Sequence, residues 1–204
     1  QFNCVVSNSH GAITSQTAVL TVVNTNLLLA AQPAVNLNSG AAVYAVAPLP
    51  DGSVIFGGYF TTVNGVARNG LAKLQPNGAL DTTWSPIPNS STFAMAVSGT
   101  NLYIGGAFTG IGSYTRNYIA RLRTTGTGAV DPTWNPGANN WVQTIVVNGS
   151  EVYVGGYFTS IGSQNRGCIA KLSAEGTGLA DATWNPNATY SGEITVVHAI
   201  AVSG

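Results

Sequence analysis

Residues 42 to 204 repeat themselves, and that periodicity limits what the chain can fold into more than any other feature. Gly-Gly doublets fall at Gly57-Gly58, Gly105-Gly106 and Gly155-Gly156, first 48 and then 50 residues apart. Phe60, Phe108 and Phe158 each follow two residues later. Arginines come next, at Arg68, Arg116 and Arg166, and then Ala72-Lys73-Leu74, Ala120-Arg121-Leu122 and Ala170-Lys171-Leu172. Aspartates follow at Asp81, Asp131 and Asp181, each three residues before a tryptophan, Trp84, Trp134 or Trp184. Pro86, Pro136 and Pro186 close the units. A period near 50 residues implies one supersecondary unit per copy, stacked so that neighbours bury each other's apolar faces. Three copies are complete, and His198 to Gly204 matches the first strand and turn of a fourth.

Each unit divides into about four strands. In the second they fall at Phe93 to Val97, Leu102 to Phe108, Tyr118 to Leu122, and a short one near Thr133-Trp134. Turn residues separate the first two strands of each unit, at Asp51-Gly52, Gly99-Thr100-Asn101 and Asn148-Gly149, where tight hairpins need positive φ. No apolar 3.6-residue periodicity appears, which argues against a helical solenoid. The expected fold is all-β: blades of four antiparallel strands arranged as in a β-propeller, near 42–91, 92–140 and 141–195, with the next starting at 196–204.

The recurring residues have structural readings. A glycine inside a strand weakens it unless another backbone or ring must come close, so the doublets are expected to admit a neighbouring blade or the recurring tryptophan. The tryptophan offers a large apolar area and an N–H that needs an acceptor. The aspartate before it accepts from turn amides or pairs with the recurring arginine, a pair that favours register over net stability.

Little remains for catalysis. Seven basic and seven acidic residues cancel, and charged residues are only 7% of the chain, against roughly 25% in an average soluble domain. Such a chain has no electrostatic footprint for nucleic acid. No apolar run is long enough for a transmembrane helix. Outside the repeat positions and hairpin turns the acids reduce to Glu175 and Glu193, with no partner carboxylate in view. His10 and His198 have no second ligand at metal spacing, so no metal or cofactor is expected. His198 and Trp141 read as packed strand residues. Trp141 and Tyr190 are the candidate sugar platforms under a carbohydrate-binding alternative. Three N-glycosylation sequons, at Asn89, Asn148 and Asn187, read as coincidental in so polar a chain. Cys168 occupies the place of Gly70 and Tyr118, which does not suggest a required disulfide.

The repeat stops short of the first forty residues. Phe2 and Cys4 precede Val6-Ser7-Asn8-Ser9-His10-Gly11, and Leu20-Thr21-Val22 closes a second strand. This resembles the last two strands of an immunoglobulin-like domain, over residues 1–23. The resemblance departs at Phe2, which lacks the hydroxyl of a tyrosine corner, and the strand that would carry a partner for Cys4 is absent. Residues 24–41 read as a linker.

The pattern carried by Val152-Tyr153-Val154-Gly155-Gly156-Tyr157-Phe158-Thr159, its counterparts, and the Asp-x-x-Trp segments resembles the bacterial delta-sixty-type propeller repeat, and more distantly kelch repeats. The resemblance implies large secreted or surface proteins with propellers beside immunoglobulin-like modules, and it carries over no catalytic residue. The expectation is a non-catalytic structural or adhesion module, extracellular or at the cell surface, excerpted from a longer chain. Its expected partners are other parts of that chain, neighbouring subunits, or surface glycans. A propeller lyase or glycosidase using Glu175 and Glu193 is the less favoured alternative.

Overall fold

The computed structural model describes residues 34–188 and 195–203. The immunoglobulin-like hairpin, Cys4, His10, Tyr190 and Glu193 lie outside them. Among the described residues every regular element is a strand.

Each copy of the repeat forms one three-stranded antiparallel sheet and one small hairpin. In blade one the sheet is β1 (Ala42–Pro48), β2 (Val54–Tyr59) and β5 (Leu71–Leu74), with β3 (Thr62–Val63) and β4 (Val66–Ala67) as the hairpin. Blade two uses β6 (Thr92–Ser98), β7 (Asn101–Gly106) and β10 (Ile119–Arg123), with the hairpin β8 (Gly110–Ile111) and β9 (Tyr114–Thr115). Blade three uses β11 (Val142–Asn148), β12 (Glu151–Gly156) and β15 (Ile169–Ser173), with β13 (Ser160–Ile161) and β14 (Gln164–Asn165).

The fourth strand of each blade is reduced to one bridge, Leu74 to Leu80, Leu122 to Val130 and Leu172 to Ala180. The short strand expected near Thr133-Trp134 does not form. The carboxylate of Asp131 takes the amides of Thr133 and Trp134 at 2.9 and 3.0 Å, so these donors turn the chain instead of joining a ladder. Between the second and third strands of each sheet the chain forms the small hairpin; in blade one its turn is Asn64-Gly65, both at positive φ (50° and 77°), the conformation of a type I′ turn.

Among the described residues two of the three core clusters span neighbouring blades, and the third, Phe56, Phe60, Val63 and Ala72, lies within blade one. Ala47, Ile55, Leu71 and Trp84 of blade one pack with Leu102, Ile104, Phe108 and Leu122 of blade two. Tyr103, Ile119 and Trp134 of blade two pack likewise with Val142, Val152, Val154 and Phe158 of blade three.

Residues 34–41 of the expected linker are among the described residues. Asn38 Oδ1 accepts the amides of Thr61 and Thr62, and Leu37 bridges Val63, so residues 36–38 are part of blade one. In the last described segment, Val197 fills the position against Gly155 that Val142 fills against Gly105, and residues 195–203 carry no strand.

Candidate functional site

The first glycine of each doublet faces the next blade. A Cβ on Gly57 would stand 2.8 Å from Cγ2 of Thr92, one on Gly105 would stand 2.5 Å from Cγ1 of Val142, and one on Gly155 would stand 2.6 Å from Cγ1 of Val197. The second glycine faces its own blade's first strand. A Cβ on Gly58, Gly106 or Gly156 would fall on the carbonyl oxygen of Ala42, Ser91 or Trp141. Beside that contact the first strand bulges, with register shifts between Val43 and Ala45, Thr92 and Ala94, and Val142 and Thr144. A bulge adds one unpaired residue and re-aims its side chain; here these are Tyr44, Phe93 and Gln143.

The tryptophans approach different glycines from the doublets. Trp84 and Trp134 are fully buried, and each reaches one blade ahead. The Trp84 indole N–H donates to the Arg123 carbonyl at 2.9 Å, and that of Trp134 to the Ser173 carbonyl at 2.9 Å. Their rings lie beneath Gly128 and Gly178, where a Cβ would meet Nε1 at 2.8 Å. Trp184 is only half-buried and stacks edge-on to Tyr153, with centroids 5.7 Å apart.

The charged positions divide their work differently from the sequence expectation. Arg68, Arg116 and Arg166 do not pair with the carboxylates of Asp81, Asp131 and Asp181. They are buried and donate to backbone: Arg68 to the carbonyls of Ala67, Asp81 and Thr82, Arg116 to those of Thr115, Asp131 and Pro132, and Arg166 to those of Asn165 and Asp181. The arginine thus holds the carbonyls of the Asp-Trp turn while the aspartate holds its amides. Each Nε is buried without a protein partner.

The other cation position supplies the ion pair instead. Arg121 meets Asp131 at 2.8 Å, and Lys171 meets Asp181 at 2.7 Å and Glu151 at 3.1 Å. Lys73 Nζ instead donates to the Thr124 carbonyl at 3.0 Å, and Arg121 also donates to the Ala174 carbonyl. Both bonds cross to the following blade. Burial opposes the charge on Asp131, but the amides of Trp134 and Thr133 and the Arg121 guanidinium outweigh it and hold the carboxyl below its ordinary value. Lys171, and then the Thr183 hydroxyl and amide, hold Asp181 well below the carboxylate range. Its two acidic partners push Lys171 up to about 12.

Sequence reasoning missed a further recurring residue. Asn89 Oδ1 accepts the amides of Thr109 and Gly110, and its Nδ2 donates to Thr109 Oγ1. Asn139 does the same with Thr159 and Ser160, and Asn38 takes the two amides described above. The signal was available as asparagines at positions 38, 89 and 139.

Glu175 is exposed on a turn, where its carbonyl accepts the Gly178 amide. No group of three or more His, Cys, Asp or Glu side chains gathers among the described residues. Cys168 is a free, buried thiol that donates to the Thr195 carbonyl at 3.0 Å, and burial pushes its pKa up.

The surface holds two features of other kinds. Two shallow clefts lie between successive blades, of about 330 and 130 Å³. Asn117, Asn139, Ser160 and Gln164 line the larger, and Tyr59, Asn69, Asn89 and Ser90 the smaller, with no charged side chain in either. The second feature is a file of rings running from blade to blade. Tyr44 touches Phe93, Phe93 touches Trp141, Trp141 touches Tyr157 and Tyr157 touches His198, at 5.6, 5.7, 5.9 and 6.3 Å between centroids. This corrects the expectation that Trp141 and His198 are packed strand residues. Trp141 aligns with Ser91 rather than Phe93, precedes β11, and is 43% exposed; His198 follows Val197, at the bulge position, and is exposed.

No curated protein matches the chain. It does match a family described as a domain of unknown function (DUF5122) beta-propeller, over residues 49–83, 101–133 and 151–178. Each matched segment falls within one blade, from the turn ahead of or the start of the second strand onward. Sequence period, sheet topology and family match agree, and the repeated unit of this chain is a β-propeller repeat.

Proposed function

We propose that this chain is a non-catalytic structural or adhesion module of a secreted or surface-displayed protein. The observation that carries this reading is where the charges go. Lys73, Arg68, Arg116, Arg121, Arg166 and Lys171 all bond within or between blades. The carboxylates of Asp81, Asp131 and Asp181 cap their turns. Glu151 pairs with Lys171 and the Tyr153 hydroxyl. A hydrolase or lyase needs acid and base groups converging on a substrate, and these side chains are committed to holding the blades together. A polar surface built from amides and hydroxyls suits an adhesive module.

Two measurements test the reading. Antibody raised against the chain should label intact producing cells or their medium; label that appears only after permeabilisation would overturn the location. Incubation with a panel of neutral and acidic polysaccharides should release no reducing ends and no unsaturated uronates. Turnover abolished by Glu175→Gln or Glu193→Gln would establish the enzyme instead.

A further inference from the structure

We propose that the ring file Tyr44–Phe93–Trp141–Tyr157–His198 is a binding platform for one extended, neutral glycan chain. This rests on the adhesion reading and names the ligand class and the surface. The file is continuous across three blades and the start of the fourth, and every step is edge-to-face, with interplanar angles of 65° to 89°. Tyr44 and Trp141 are 53% and 43% exposed. Large aromatic side chains normally withdraw from water, and in this same chain Trp84 and Trp134 are fully buried. Within the file Phe93 and Tyr157 are half-buried; the second glycine of each doublet lets the first strand come in close, and the unpaired residue of the bulge there is Tyr44 in blade one and Phe93 in blade two.

The chemistry of the file selects its ligand. Four of its five side chains are uncharged, and the imidazole of His198 at one end is the one group in it that can carry a charge, so a neutral polymer suits the length of the file better than an acidic or basic one. The rings meet edge to face, so no two of them stack flat on one another. They do present separate faces whose negative quadrupole suits the weakly positive C–H face of a pyranose. Sugar hydroxyls need uncharged donors and acceptors nearby. Gln143, half-exposed at the third bulge, supplies an uncharged amide two residues from Trp141. One aromatic step after another along successive blades matches a linear polymer rather than a single sugar.

Affinity electrophoresis of the whole chain through gels containing xyloglucan, galactomannan or β-glucan is the direct test. At least one of these should retard it. Trp141→Ala should weaken that retardation about tenfold or more, and Tyr44→Ala with Trp141→Ala should abolish it. Leu179→Ala, which truncates an equally exposed apolar side chain outside the file, should change nothing, and the melting temperatures of all variants should match. Retardation by none of the neutral polymers, retardation only by acidic polymers, or retardation indifferent to the double variant would each overturn the proposal. So would self-association of the chain that the double variant abolishes, which would make the file a contact between copies. None of these failures would touch the proposed structural role, which only turnover or an intracellular location overturns.

Discussion

The indole N–H of Trp84, a residue of blade one, donates to the carbonyl of Arg123, a residue of blade two, at 2.9 Å. Trp134 repeats the bond to Ser173. Burying one such side chain gives on the order of 4–6 kcal/mol of gross hydrophobic stabilisation. Truncation should therefore be among the most damaging changes available. Trp134→Ala is expected to cost about 3–5 kcal/mol, and Trp134→Phe about 1–3 kcal/mol through the orphaned Ser173 carbonyl and lost area. Trp184→Ala should cost clearly less, because Trp184 is half-exposed. Urea midpoints of the three variants give the order; equal losses at positions 134 and 184 would contradict it.

The two glycines of a doublet should differ in tolerance. A methyl on Gly105 meets side chains of Val142 and Ile145, which can shift; one on Gly106 falls on the Ser91 backbone. Gly105→Ala is expected to cost about 1–3 kcal/mol, the ordinary range for overpacking. Gly106→Ala should cost more than Gly105→Ala and should also disturb the bulge beside Phe93. Chemical denaturation ranks the pair, and hydrogen exchange at the amides of β6 reports the local disturbance.

Acid should loosen the blade junctions. Asp131 and Asp181 have folded-state pKa values below their unfolded ones. A depressed carboxylate contributes stability that is fully present above the unfolded value, about 3.9, and that is lost as pH falls through the folded value. Stability should therefore hold from pH 7 to about pH 5 and decline below about pH 4. Asp131→Asn with Asp181→Asn should lower stability at neutral pH and flatten that acid limb. Lys171 works at the other end: its pKa is raised to about 12, so its contribution is whole below its unfolded value, about 10.4, and is lost as the pH rises from there toward 12. Urea midpoints measured from pH 2 to 7 test the acid limb, and an unchanged slope in the double variant would refute the assignment.

Cys168 sits at φ 61°, and its counterparts Tyr118 and Gly70 at 65° and 63°. The amide and carbonyl of this residue bond Phe158 and Gly156, so the conformation is imposed by the blade. Left-handed backbone suits glycine and strains β-branched residues. Cys168→Gly should stay within about 1 kcal/mol of the parent, while Cys168→Val should lose about 2 kcal/mol or more. A buried thiol with a raised pKa is also a slow nucleophile. Mass-spectrometric mapping after treatment with a thiol reagent should show Cys168 unlabelled until denaturant is added.

Much of this fold was legible in the sequence because the chain states each feature three times. Recurrence marked Gly105, Arg116, Asp131 and Trp134 as parts of the blade. It did not say which atoms they meet. Arg116 and Asp131 have opposite charges and seemed a natural pair, yet the arginine binds the carbonyl of Asp131 and the carboxylate pairs with Arg121. Spacing fixes neither choice, because Arg116, just after β9, and Arg121, on β10, both reach the same turn. Trp141 was misplaced for a different reason: Asp131 follows Leu122 by nine residues where Asp81 follows Leu74 by seven, so counting forward from Phe93 by the first interval of 48 slips by two positions. The small hairpins were missed because their strands have two residues each, too short for an alternating pattern. Asn64-Gly65 was the sign that they were there.

Trp84 belongs by sequence to one repeat and by packing to the next. The boundary of the covalent unit and the boundary of the packed unit are therefore out of phase. A deletion or duplication of whole periods leaves every hook facing an eye, wherever in the cycle the cut is made. A cut that removes part of a period leaves an indole without a pocket or a pocket without an indole. Such a gene can lengthen or shorten only in full steps of about 50 residues, and the phase of the step is immaterial.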